Sequence, residues 1–222
     1  MNEELKKYFD LMQKRPEEFI KSDLLSIITD EDFIEKYCLE NNVRIGVVYE
    51  SRFHIMVVDL VKDNKGRVFT YERIINTVPG GTVMLTLHNG KYVLLDQFRH
   101  ALRNKQYAFP RGFRELGISS LENAKKEISE EIHIHDKESD VSYKFLGKVV
   151  ADSGLSGNIV DIYCVSINNS EEKLYSKDTE EIIASIEVTD EKFQDMVHEG
   201  IITDGFSLSA YSLFKAKKNA DG

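Results

Sequence analysis

Three glutamates, Glu127, Glu130 and Glu131, lie close together in one short stretch of the chain. If this stretch is helical, the spacing of three and four residues places their carboxylates on one face. Carboxylates so placed repel one another, and a hard divalent cation such as Mg²⁺, or Mn²⁺, relieves the repulsion because it prefers oxygen ligands. The spacing therefore indicates a metal site. The alternative interpretation is a solvated acidic face, which is common on helices.

The residues around the glutamates predict a helix that packs against a core and presents its acids at the same time. An apolar stripe recurs at helical spacing, about a quarter turn away from the acids, and consists of Leu121, Ala124, Ile128 and Ile132. The helix is expected to begin at a capping box, Ser119-Ser120-Leu121-Glu122, in which a serine and a glutamate satisfy backbone N–H groups.

Strands dominate the chain after residue 42, whereas apolar residues recur at helical spacing before it. We therefore expect an α+β fold, a mixed sheet flanked by helices, with a helical N-terminal extension at 1–42 and one domain at 43–222 that includes the first strands. The segment around Pro110 and Gly112 is predicted to be a loop, and two helices close the chain. Strands are predicted at 44–49, 54–61, 67–75, 82–87, 92–98, 143–150, 159–167 and 182–188.

Composition and charge argue against several functions. The 222-residue chain has a formal net charge of -9 at pH 7, so it gains nothing from a phosphate backbone and we expect no nucleic-acid partner. No apolar run reaches the length of a membrane span, and the charged start of the chain is unlike a signal peptide. The two cysteines, Cys38 and Cys164, lie among apolar residues and are expected to be reduced thiols. These features predict a cytoplasmic protein without membrane contact.

The chain from Gly112 onward resembles the signature of the Nudix hydrolases, G-x5-E-x7-R-E-U-x-E-E-x-G-U, in which U is an apolar residue. Three positions depart from it, because Ile118 replaces the first Glu, Lys126 the Arg and His133 the late Gly. Lys126 precedes Glu130 by four residues and is expected to hold that glutamate in place. Six positions fall in register with the signature: Gly112, Glu127, Ile128, Glu130, Glu131 and Ile134.

Further segments resemble the Nudix subgroup that cleaves ADP-ribose and other nucleoside diphosphate sugars. Together the similarities cover about residues 45 to 217 in the order in which the family has them. The resemblance implies a Nudix α/β/α sandwich in which water attacks a diphosphate and two phosphomonoesters leave. The segments are 94–101, which resembles a strand ending in Gln-Tyr-Arg, 109–113 before the signature, the loop 152–156 after it, and 199–204.

The resemblance also implies roles for individual residues. Glu127 and Glu131 carry over as the main Mg²⁺ or Mn²⁺ ligands, and Glu130 as a catalytic residue that completes or bridges the site. The backbone carbonyl of Arg111 carries over as a further metal ligand. The side chain of Arg99 is expected to bind substrate phosphate, with a structural salt bridge as the alternative, and Arg111 is expected to share the phosphate-binding role.

A general base and two weaker features complete the expected site. The resemblance places a base in the loop before the last strand, where Glu180 is the first choice and Glu181 the next; both are alternatively solvated loop acids. His133 and His135 are interpreted as surface histidines and not as a metal pair. Phe113 is expected in the core, with stacking on a base as the alternative.

Two functions from different classes remain. The first is a Nudix hydrolase acting on a small-molecule nucleoside diphosphate. The second is a non-catalytic Nudix module that binds a nucleotide or nucleotide sugar as a sensor or regulator. The altered signature motivates the second, and the intact set of three glutamates argues against it. The apolar residues before Val43 exceed what a short helical arm buries, and the subgroup commonly dimerises, so we expect a homodimer that uses this extension and the first strands.

Overall fold

The computed structural model describes residues 2–78, 80–132, 140–168 and 182–220. The chain divides into two compact units. The first consists of Met1–Thr77 with Asp152–Asn158, and the second of Val78–Ala151 with Ile159–Gly222. The boundary expected at residue 42 falls inside the first unit.

The first unit places two helices against an antiparallel sheet. Its elements are α1 (Glu3–Lys14), a 3-10 helix (Pro16–Phe19), β1 (Leu25–Ile27), α2 (Glu31–Asn41), β2 (Gly46–Glu50), β3 (His54–Asp63) and β4 (Val68–Asn76). β3 pairs with each of the other three strands. The helical prediction for 1–42 is confirmed for α1 and α2 but is wrong at β1, where pairing with Val61–Asp63 overrides the local pattern.

The first helix of this unit is fixed by a cap and by its apolar face. The Asn2 side chain accepts the backbone N–H of Leu5 at 2.8 Å, which satisfies a free donor at the start of α1. Leu5, Tyr8 and Leu11 recur at helical spacing and are buried. The segment Asp152–Asn158, which contains the motif segment 152–156, also belongs to this unit, and the Ile74 N–H donates to the carbonyl of Leu155 at 2.8 Å.

A buried acid in the first unit is paired with residues of the same unit. Asp59 is 2% exposed and accepts a hydrogen bond from the hydroxyl of Tyr8. The Nε of Arg73 donates to the same carboxylate at 2.6 Å, and its guanidinium lies 4.8 Å from the ring centre of Phe19. Since these residues come from α1, β3, β4 and the 3-10 helix, the paired acid ties the N-terminal helices to the sheet.

In the part of the chain that the structure describes, the second unit is built on a mixed sheet of seven strands. Its elements are β5 (Thr82–His88), β6 (Lys91–Arg99), β7 (Asn104–Ala108), β8 (Arg111–Gly112), α3 (Ser120–Ile132), β9 (Asp140–Val150), β10 (Ile159–Asn168), β11 (Ile182–Val188), α4 (Asp190–His198) and α5 (Gly205–Ala220). The order is β11-β6-β5-β10-β9, with β7 on β6 and β8 on β5. Strands β5 and β10 are parallel, and the other pairs are antiparallel.

The loop predicted around Pro110 and Gly112 is wrong in part, because β7 and β8 are strands. β7 pairs with β6 and β8 with β5. Asn, Lys and Gln dominate β7 and β8 has only two residues, so neither carries the β-branched pattern that marks a strand in sequence. The sheet around them supplies their hydrogen bonds, and it thereby positions β8.

Helices cover both faces of this sheet. Met84 packs with α3, in a cluster that includes Ala124 and Ile128. Its neighbour Leu85 points to the opposite face and packs in a cluster with Phe193 of α4 and Ala210 of α5. The predicted α+β fold, a mixed sheet flanked by helices, is confirmed. Among the described residues, no helix combines the length and apolarity needed to cross a membrane.

Candidate active site

The glutamate helix α3 is anchored at its start and along one side. The backbone N–H of Glu122 donates to the hydroxyl of Ser119 at 3.2 Å, and that of Ser119 donates to the Glu122 carboxylate at 2.7 Å. The predicted capping box is thereby confirmed. Three residues of the predicted apolar stripe are buried against the sheet, but Leu121 is exposed. Asn123, which sequence reasoning missed, is buried instead and donates to the Thr82 hydroxyl at 2.8 Å.

Two of the three glutamates converge on the short strand β8. Glu131 Oε2 accepts the backbone N–H of Arg111 at 3.1 Å. A Cβ built on Gly112 would lie 2.0 Å from the carboxyl carbon of Glu127, so only glycine leaves room for that carboxylate. β8 itself is held by β5, where Thr82 pairs with Gly112. The predicted signature glycine therefore acts by allowing close approach of a carboxylate to the backbone.

The pKa of each of the two converging acids, Glu127 and Glu131, is raised, so both are harder to ionise than a carboxyl group in water. Burial and the neighbouring Glu127 charge raise the pKa of Glu131 to about 8, against the lowering effects of the Arg111 N–H bond and the Arg99 charge. Burial and the Glu130 charge raise the pKa of Glu127 to about 7. Desolvated like charges at one place are stabilised by a cation between or beside them. This electrostatic arrangement favours a divalent cation as ligand.

Glu130 lies on the same helix but differs from the other two. Its side chain is 58% exposed, and Lys126 Nζ lies 3.8 Å from its Oε1. The ion pair predicted from the four-residue spacing is therefore present, although long. The same Lys126 Nζ lies 2.5 Å from Oε1 of Glu115, an acid that sequence reasoning missed. The sequence feature that could have pointed to Glu115 is its partner Lys126, which stands where the Nudix signature has an arginine.

The expected phosphate-binding arginines have different surroundings. Arg111 Nη1 donates to Oδ1 of Asp204 at 2.9 Å, and its guanidinium lies 5.2 Å from the ring centre of Phe206. Asp204 is buried and also accepts the N–H and hydroxyl of Ser207. The Arg111 guanidinium is therefore held in a salt bridge with Asp204. Arg99, at the end of β6, lies close enough for its charge to lower the pKa of Glu131.

Some predicted site residues fall elsewhere. Glu180 and Glu181, the candidate bases, lie outside the described residues, as do His133 and His135. Phe113, expected in the core, is 57% exposed directly after Gly112, so that expectation is wrong.

The donor set fits a particular kind of metal ion. Within the parts of the chain that the structure describes, no group of three or more His, Cys, Asp or Glu side chains is placed to hold a metal ion. Mg²⁺ usually binds through one or two carboxylates and completes its coordination with water and substrate phosphates. Glu127 and Glu131, both placed against β8, are two carboxylates of this kind. The residues present therefore fit a cation that binds together with a phosphorylated substrate.

Comparisons with known proteins bear on the fold. No protein-family model matches the chain, and no curated protein matches it. Among solved structures, the chain is similar to the crystal structure of an ADP compounds hydrolase, with a TM-score of 0.61 and 15% sequence identity over 81% of this chain and 94% of that one. The fold of the chain is therefore Nudix-like. At this level of identity the likeness concerns the fold alone.

Proposed function

We propose that the protein is a Mg²⁺- or Mn²⁺-dependent hydrolase that cleaves a nucleoside diphosphate linked to another group into two phosphomonoesters. ADP-ribose and nucleoside diphosphate sugars are the proposed substrates. The observation that carries this proposal is the convergence of Glu127 and Glu131 on β8, with the pKa of both carboxyl groups raised. The similar solved structure is that of a hydrolase of ADP compounds, which supports the same class of reaction.

In the proposed reaction, different residues hold the cation, orient its ligands and bind the diphosphate. Glu127 and Glu131 hold the cation, with the carbonyl of Arg111 as a further proposed ligand. When bound, the cation supplies stabilisation of the negative charge that develops on the phosphoryl oxygens. The Arg111 N–H orients Glu131, since it donates to that carboxylate. Arg99 places a positive charge beside Glu131, where a diphosphate would lie.

The proton from the attacking water needs an acceptor. Glu130 is exposed on the same helix and its charge acts on Glu127, so it lies at the edge of the proposed site. We assign it a supporting catalytic role. The base itself is proposed to be Glu180, with Glu181 next, because both precede β11 immediately and β11 pairs with the strand that ends at Arg99.

A non-catalytic module that binds a nucleotide or nucleotide sugar is the second candidate. Two observations favour it: only two of the three glutamates converge on β8, and three positions of the Nudix signature are altered. Such a module would bind the same compounds as the enzyme but would leave the diphosphate intact. The two candidates therefore differ in turnover and not in ligand.

Product release from a panel of nucleoside diphosphate compounds separates the two candidates. The parent protein, Glu131→Gln and the control Glu191→Gln are each assayed with Mg²⁺ and with Mn²⁺. Glu191 is exposed in the first turn of α4 and serves as a matched charge loss. We expect turnover by the parent and the control, and a loss of at least about 100-fold in Glu131→Gln, since partners outside the ligand shell already cost about 10- to 100-fold.

The opposite result is equally informative. A parent protein that binds a panel compound in calorimetry, yet releases no product with either metal, is the non-catalytic module. A Glu131→Gln variant with parental activity would exclude Glu131 as a principal ligand. Circular dichroism of each variant checks that the fold is retained.

A homodimer is also part of this proposal. Within the first unit, Ile20, Leu24 and Leu39 are large apolar side chains that remain exposed. We propose that these side chains contribute to an interface, since exposed apolar patches mark interaction sites. Light scattering at micromolar concentration tests it, and a strictly monomeric mass contradicts it.

A further inference from the structure

A chain of charged side chains connects the segment after β8 with the glutamate helix. Lys126 Nζ lies 2.5 Å from Glu115 and 3.8 Å from Glu130. Glu115 is 63% exposed and Lys126 36%, so neither residue belongs to the core. Glu115 lies in the segment between β8 and α3, whereas the other two residues lie on α3.

The position of Glu115 along the chain links its contact with Lys126 to the candidate metal site. Glu115 follows Gly112 by three residues, and Gly112 is the residue whose backbone the Glu127 carboxylate touches. The chain leaving β8 is therefore tied to α3 one residue before Glu127, through Lys126. Ligand atoms of a functional site need to be held within about 0.5 Å of the productive geometry, and supporting charges commonly do this.

We propose that Glu115 is a positioning residue of the candidate metal site, acting through Lys126 to fix the backbone after Gly112 and the side chain of Glu130. This role rests on the proposed function. Glu115 also gives Lys126 an acidic partner in a chain that carries isoleucine at position 118, where the Nudix signature has glutamate. Glu115 does not touch substrate or metal in this role.

An exposed ion pair without influence on the site is the competing explanation, because isolated surface pairs contribute about 0–1 kcal/mol to stability. Long-range charge is a second one, since removal of any nearby acid weakens cation binding. A double-mutant cycle separates positioning from both. The variants are Glu115→Gln, Lys126→Gln and the double variant, with Glu191→Gln as a matched loss of an exposed acid in α4.

Mn²⁺ binding, followed through the electron paramagnetic resonance signal of free Mn²⁺, is the measurement. It needs no substrate and no turnover. We expect Glu115→Gln to raise the Kd for Mn²⁺ by about three- to tenfold. In the Lys126→Gln background the same change should alter the Kd by less than about 1.5-fold, because the partner through which Glu115 acts is already absent. Glu191→Gln should bind Mn²⁺ as the parent does.

Three outcomes would overturn the role. An unchanged Kd in Glu115→Gln leaves only a surface ion pair. An equal increase of the Kd in both backgrounds indicates charge alone. A parent protein that binds no Mn²⁺ either alone or with ADP-ribose overturns the proposed function as well, so that failure is distinguishable from a failure of Glu115 alone. Melting temperatures of all variants without metal check that the fold is unchanged.

Discussion

The two units of the protein bury carboxylates in opposite ways. In the first unit, Asp59 accepts hydrogen bonds from the Tyr8 hydroxyl and from the guanidinium of Arg73, so its charge is met by a cation and a donor. In the second, Glu131 receives one backbone N–H and faces the charge of Glu127. A paired buried acid ties structural elements together, whereas a repelling pair raises the free energy of the ligand-free fold. The partners of a buried acid, and not its burial, therefore separate a structural acid from one in a candidate site.

The second unit contains its own example of a structural acid. Asp204 is buried and accepts from Arg111 Nη1 and from both the N–H and the hydroxyl of Ser207. It lies beside Arg111, which also donates a backbone N–H to Glu131. Arg111 therefore contacts both Asp204, an acid with a cationic partner, and Glu131, an acid whose pKa is raised. The contrast between the two kinds of buried acid thus also exists within one unit.

The largest expected effect concerns the paired acid. Asp59→Ala leaves the Tyr8 hydroxyl and Arg73 without their carboxylate, and we expect the free energy of unfolding of the first unit to fall by about 3–5 kcal/mol. Tyr8→Phe is the matched variant, since Asp59 keeps Arg73, and it should cost about 1–2 kcal/mol. Urea unfolding followed by circular dichroism measures both. A smaller loss in Asp59→Ala than in Tyr8→Phe would show that the paired carboxylate of Asp59 does not hold the first unit together.

The repelling pair, Glu127 and Glu131, should lower the free energy of unfolding of the metal-free protein, by an amount that depends on pH. Folding raises the pKa of Glu127 from 4.5 to about 7 and that of Glu131 from 4.5 to about 8. Between pH 4.5 and 8 the unfolded chain has released protons that the folded chain still holds. The contribution of these two carboxyl groups to the stability of the metal-free protein is therefore greatest below pH 4.5, and it is lost, by several kcal/mol, as the pH rises through about 8.

Thermal melting in a chelator from pH 4 to pH 9 tests this dependence. Glu131→Gln removes one charge of the pair, so its melting temperature should fall less steeply and should exceed that of the parent at pH 8. Parallel curves for the two proteins would show that Glu131 carries no such penalty.

The next effect concerns the glycine that lets Glu127 approach β8. In Gly112→Ala the added methyl would meet the Glu127 carboxylate, which can turn away because it ends a flexible side chain. The fold should therefore survive, but a displacement of about 1 Å lowers turnover by about 10- to 100-fold. Gly205→Ala is the control, because nothing lies within 4 Å of its added Cβ. Equal activity of Gly112→Ala and Gly205→Ala would show that the position of the Glu127 carboxylate does not affect turnover.

The smallest effect is expected at Lys126. Arginine carries a planar fork in place of a point charge, so Lys126→Arg should hold its carboxylate partners more firmly. We expect the Mg²⁺ concentration that gives half-maximal rate to fall by about twofold in Lys126→Arg and to rise in Lys126→Ala. If neither variant differs from the parent, Lys126 is a surface residue without a role in the site.

Much of the fold was predictable because its signals are local. The strand β11 was placed at 182–188, and the capping box and most of the apolar stripe of α3 were identified from spacing. β1, β7 and β8 were missed because long-range pairing, and not their own residues, makes them strands. The exposed position of Phe113 depends on the course of the chain after β8, which no periodicity encodes.

The candidate site was predictable in part for a similar reason. Helical spacing placed Glu127, Glu130 and Glu131 on one element, but it gave no information on what lies opposite each carboxylate. The contact of Glu131 with the Arg111 N–H and the ion pair of Arg111 with Asp204 join residues 20 and 93 positions apart. Glu115 was missed because its partner Lys126 is eleven residues away and on a different element.

The proposed reaction requires that Glu127 and Glu131 together hold a divalent cation against β8. Anomalous diffraction at the manganese edge, from crystals soaked with Mn²⁺ and ADP-ribose, locates that cation, and Glu131→Gln crystals are soaked in the same way. We expect a peak beside Gly112 within coordination distance of both carboxylates in the parent, and its loss or strong weakening in the variant. A peak elsewhere on the protein, no peak in the parent, or an equal peak in Glu131→Gln would contradict the claim.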